Sequence, residues 1–149
     1  MKINGLDFEL GAQIDILGEK LRVLGMASYS AGGHDYYKIF LDNHRILLPN
    51  GDGYSFVFGR LIDPVPYSEP FPDKINYDDE EYILNLHEHQ KLNEIIFGDR
   101  NQIEGDCEFW DYENENGKMK SISVAILSDK TRADVIAETI DYADGKFVK

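Results

Sequence analysis

Short runs rich in Val, Ile, Leu, Tyr and Phe recur about every ten residues between Leu6 and Asp63, each closed by Gly, Asn or Asp. That spacing has room for a strand and a tight turn but not for a helical hairpin, so it predicts an antiparallel meander. Residues 12–17 and 20–26 are short apolar stretches separated by Gly18-Glu19, a hairpin signal. Residues 28–34 read as a Ser/Gly-rich loop tip and 35–41 as a strand, with Asp42-Asn43 turning into 44–48. The turn cluster Pro49-Asn50-Gly51-Asp52-Gly53 leads into a further strand over 54–62.

Beyond that zone the signals change. Pro64, Pro66, Pro70 and Pro72 crowd residues 63–79 and predict extended chain that cannot join a central strand, an internal crossover. Asp78-Asp79-Glu80-Glu81 suits the first turn of a helix, whose amino end carries partial positive charge. Tyr82, Ile83, Leu86, Gln90, Asn93 and Phe97 follow at three-to-four spacing, predicting a helix from about Asp79 to Phe97 that ends at Gly98. Strands at 105–112 and 119–127 flank the turn signal Asn116-Gly117. Over 132–142 a helical face (Ala133, Ile136, Ala137, Ile140) competes with a strand-like alternation (Val135, Ala137, Thr139), and Thr131 as an amino-terminal cap favours the helix. The expected fold is one α+β, β-rich domain over 1–149: an antiparallel sheet or small sandwich or barrel with one or two helices.

Charge narrows the partners. Fifteen Asp and Glu against three Lys and Arg lie between Glu69 and Glu115, whereas the other residues carry thirteen acids and twelve bases. Such a field repels phosphate and anionic lipid, so nucleic-acid binding is not expected, and it attracts a basic surface. No apolar run approaches the ~20 residues of a bilayer span. The segment Met1–Gly5 has no apolar signal region, and Cys107 is the single cysteine, so a reducing cytoplasm is the expected setting.

Motifs for chemistry are sparse. Gly-x-Ser-x-Gly, P-loop and Gly-x-Gly-x-x-Gly patterns are absent. Asp99-Arg100-Asn101 begins like a calcium loop, but Gly105 falls one position late and Trp110 stands where the closing Glu belongs. His87-Glu88-His89 is the best metal-like cluster. On a strand the two imidazoles would share a face and, with Asp106, Glu108 or Cys107, could hold zinc or manganese; on a helix they would diverge. Acidic neighbours Asp106 and Glu108 should raise the Cys107 thiol pKa and dull it.

The stretch Asp35-Tyr36-Tyr37-Lys38-Ile39-Phe40-Leu41-Asp42-Asn43, followed by residues 44–48, resembles a segment of the YjfK-like bacterial proteins of unknown function, in which an aromatic strand ending in Leu-Asp leads into a second short strand. The resemblance implies a β-rich bacterial accessory protein and no catalytic residues.

The expectation is therefore a non-enzymatic module, without cofactor, that binds another protein through its acidic middle, using Asp78, Asp79, Glu80, Glu81, Glu108, Trp110 and Tyr112. Two alternatives stand beside it: an immunity-like inhibitor masking a basic nucleic-acid-binding site, and a metal-assisted hydrolase built on His87, His89 and nearby acids.

Overall fold

A computed structural model describes residues 1–66, 71–114 and 120–149. The chain is about 66% strand and 2% helical. After a small hairpin of β1 (Lys2–Ile3) and β2 (Leu6–Asp7) come β3 (Gln13–Ile16), β4 (Glu19–Ala31), β5 (His34–Leu41), β6 (Arg45–Pro49) and β7 (Ser55–Leu61). The second half holds β8 (Lys74–Tyr77), β9 (Glu80–Gly98), β10 (Cys107–Asn114), β11 (Lys120–Leu127), β12 (Val135–Ala143) and β13 (Lys146–Val148). A three-residue 3₁₀ turn, Arg100–Gln102, precedes β10.

Eight of these strands close an antiparallel barrel in the order β4–β5–β6–β7–β12–β11–β10–β9, with β9 returning to β4. The chain lays down β4 to β7 as a meander, as expected. Residues 28–31, read from sequence as loop, instead continue β4, and the turn is confined to Gly32-Gly33. The chain then crosses over and lays the second meander in reverse, so that β12 zips to β7 and β9 to β4. The described parts of the Pro-rich segment, residues 63–66 and 71–79, belong to that crossover. Asp134, 1% exposed, anchors it by accepting from the Val65 amide at 2.9 Å while ion-pairing with Arg132.

Both predicted helices are strands. β9 is nineteen residues long, and one of its edges pairs with β10 over Tyr82–Gln90 while the other takes β8 and then β4. Helix propensity is a weak prior, and a segment with sheet partners on both edges overrides it. Over 132–142 the competing alternation wins: Val135 and Ala137 face inward, Ile136 and Ile140 outward. Thr131 caps no helix; its amide and hydroxyl both donate to Asp129 Oδ1 in a turn. The fold is all β rather than α+β. The pairing of β10 with β11 agrees with the expected hairpin, whose Asn116-Gly117 turn lies outside the described residues.

The large apolar clusters lie on the barrel's outer wall. Phe8, Ile16 and Phe147, from segments wrapped around the barrel, cover Met26, Ile39, Leu47, Phe56 and Ile140. On the opposite side Ile62, Val65 and Ile75 cover Tyr82, Trp110, Tyr112, Ile122 and Val124. Burying the outer wall leaves the inner wall free to carry polar groups.

Candidate functional site: the barrel lumen

Strand alternation sends every second side chain of the barrel inward. Tyr36 and Lys38 of β5, Ile46 and Leu48 of β6, Val57 of β7 and Val135 and Ala137 of β12 line a cavity of about 500 Å³. Leu86, Glu88 and Gln90 of β9, Cys107, Phe109 and Asp111 of β10, and Ser121, Ser123 and Ala125 of β11 complete its wall. Small residues at 121, 123, 125, 133 and 137 leave the space that bulky side chains fill in most eight-stranded barrels.

A polar network ties one side together. Lys38 Nζ meets Glu104 Oε2 at 2.6 Å, with both side chains mostly buried, and lies 5.2 Å from the centre of the Tyr29 ring. The Tyr29 hydroxyl donates to the Glu104 carbonyl at 2.5 Å, and its ring stacks on that of Tyr36. Tyr36 donates to Gln90 Oε1 at 2.6 Å, and Gln90 Nε2 donates to the Gly105 carbonyl at 3.1 Å. Burial, then the Glu104 carboxylate, raises the Tyr29 pKa; burial also raises that of Tyr36. Both phenols therefore stay protonated donors at neutral pH.

Two further groups sit in the same lining. Burial pushes the Asp111 carboxyl above the usual range, opposed by a hydrogen bond from Ser123. Its Oδ1 is a buried atom with no hydrogen-bond partner among the described residues. Cys107 is a free, buried thiol pushed up to about 12, by burial first and the Glu104 carboxylate second. Dulling was expected from Asp106 and Glu108. Glu104, three residues before the thiol, contributes more than Asp106.

The predicted partner-binding residues do not form one face. Asp78 and Asp79 are exposed but occupy a turn with φ of 50° and 62°, a left-handed conformation that short polar side chains tolerate. Glu80 lies 3.7 Å from Lys120 and Glu81 3.8 Å from Lys74. Trp110 and Tyr112 are 4% and 1% exposed, beneath the crossover, where Tyr112 donates to the Pro72 carbonyl. Of the remaining acids, Glu104 and Asp111 turn into the lumen, Asp99 caps the 3₁₀ turn, and Asp106 accepts the Leu92 amide.

His87, His89 and Glu108 do converge, because β9 is a strand. Glu108 lies directly opposite His89 and diagonal to His87 on the outer wall. Its Oε2 is 2.7 Å from His87 Nε2 and 3.8 Å from His89 Nε2. Lys38, Glu104, Gln90 and Asp111 were not singled out from sequence as site residues. The signal for Lys38 was an unbroken strand pattern around a central charge, Tyr36-Tyr37-Lys38-Ile39-Phe40, which reads equally well as a solvated face.

Among the described residues no helix is long and apolar enough to cross a membrane. No family model, no curated protein and no solved structure matches this chain.

Proposed function

We propose that this chain is a binding protein that encloses a small molecule in its lumen, a molecule with an apolar body and a cationic or hydrogen-bond-donating head. The cavity of about 500 Å³ carries the reading, being within the ~300–1,000 Å³ usual for small-molecule sites. Ile46, Leu48, Val57, Val135 and Phe109 offer an apolar wall to the body. Lys38 is already neutralised by Glu104, so Asp111 and Glu88 are the carboxylates left to meet a donor, with Ser121 and Ser123 beside them. The protein remains a binding module, with its ligand inside rather than on the acidic surface. A protein partner docked at Asp78–Glu81 has less support, since Lys74 and Lys120 lie beside two of those four carboxylates. The lone free thiol goes with a cytoplasmic setting. The resemblance to the YjfK-like proteins adds no ligand to this reading.

The test is titration with dodecylamine and dodecanoate against a dansyl-labelled alkylamine. The amine should displace the probe at one equivalent per chain, well ahead of the carboxylate. Ala137→Phe, which fills the cavity without adding charge, should abolish probe binding while the strand signal in circular dichroism persists. A folded wild-type protein that binds none of the three molecules overturns the reading.

A further inference from the structure

On the outer wall, independent of the lumen, we infer that His87, His89 and Glu108 bind a divalent first-row transition metal through two imidazoles and one carboxylate. Their donor atoms already lie within 4.8 Å of one another. A metal with bonds near 2.1 Å sets tetrahedral ligand atoms about 3.4 Å apart. The pair distances of 2.7 and 3.8 Å to Glu108 straddle that value. A small rotation of the carboxylate would meet it.

The register explains the convergence. Residues two apart on β9 share a face, and antiparallel pairing puts Glu108 between them on the neighbouring strand. His87 is held rather than free: its ring stacks on Trp110 at 4.5 Å and 11°, and Trp110 stacks on Phe71 at 3.5 Å. Metal sites depend on this kind of support, because a ligand fixed in orientation gives up less entropy on binding. Imidazole nitrogen with one carboxylate suits zinc, nickel and copper, and three protein ligands leave coordination positions open. His89 and Glu108 also border a groove of about 420 Å³ that holds Lys91, Ser128 and Lys130, so a water or anion on the metal has walled space beside it.

Trp110 is the single tryptophan, and it touches His87, so the site reports on itself. Copper(II) added to the 149-residue chain should quench Trp110 emission saturably at one equivalent, and excess zinc should restore it. His89→Ala leaves the His87–Trp110 stack in place and removes an exposed ligand; it should weaken copper binding by about tenfold or more, as should Glu108→Gln. His44→Ala, at an exposed turn elsewhere, should leave the titration unchanged. Quenching that never saturates, or that persists undiminished in His89→Ala, overturns the assignment.

Discussion

Lys38 on β5 and Glu104 in the segment before β10 meet at 2.6 Å inside the barrel, 66 residues apart in the chain. Taking two charges out of water is unfavourable, and their attraction offsets this only when the remaining donors and acceptors are satisfied. Here the Tyr29 ring faces the ammonium, and its hydroxyl holds the main-chain carbonyl of Glu104. The pair also fixes the segment between the 3₁₀ turn and β10 against the inner wall of β4 and β5.

Breaking that pair should be far worse than deleting it. Lys38→Met strands the Glu104 carboxylate and should destabilise the protein by about 3–5 kcal/mol in guanidinium unfolding. The double variant Lys38→Met, Glu104→Leu should recover most of the loss. Additive single effects would show that the two charges do not act together.

Asp111 gives a pH dependence of definite sign. Burial raises its folded pKa above the ordinary 3.8, so the folded state holds the proton more tightly than the unfolded chain. Its contribution is fully present below the unfolded pKa and is lost as pH rises through the folded one. Asp111→Asn removes that loss, so the variant should melt several degrees above wild type at pH 7. The gap should close as pH falls below 4. Thermal melts across that range check this, and a gap that widens in acid contradicts it.

How far residues announced these features depends on what each faces. The meander from β3 to β7 was legible because its outward positions, such as Met26, Ile39 and Leu47, are apolar and its turns carry Gly or Asn. β9 was not, because both of its faces carry polar groups: Glu88 and Gln90 point into the lumen while His87 and His89 meet solvent. Hydrophobic alternation disappears when both faces of a strand carry polar side chains. Register shifts opposite β9, between Asp111 and Tyr112 and again between Ser28 and Tyr29, disturb the alternation further. For the site, Glu104 lies outside any strand, and only barrel closure brings it to Lys38. On the helix that the spacing predicts, His87 and His89 would diverge; they share a face only because β9 is a strand.

Cys107 should be inert until the barrel opens. With its pKa pushed up to about 12, the thiolate fraction at pH 8 is about one in ten thousand. Ellman's reagent should therefore leave the native thiol unmodified over minutes and react within the mixing time in 6 M guanidinium, a routine denaturing concentration (roughly above the midpoint of even hyperstable domains). Complete reaction in native buffer would mean that the β10 side of the lumen opens freely.

The barrel's closing seam depends on two glycines. Gly25 of β4 pairs with Gly98 of β9, and a Cβ on Gly98 would lie 2.6 Å from both the Gly25 Cα and the Leu24 carbonyl oxygen. Gly98 also has φ of 108°, which side chains rarely adopt. Gly98→Ala thus meets backbone on one side and strain on the other, and neither can yield without parting β4 from β9. Loss of roughly 3 kcal/mol or more is expected, together with loss of amine binding in the lumen. Gly33, in the β4–β5 turn, separates the two causes: its φ is 82°, but nothing lies within 4 Å of a Cβ there. Gly33→Ala should lose only about 1–2 kcal/mol and keep the lumen intact. Equal effects from the two substitutions would mean that backbone conformation alone, and not the close approach of β4 to β9, governs closure.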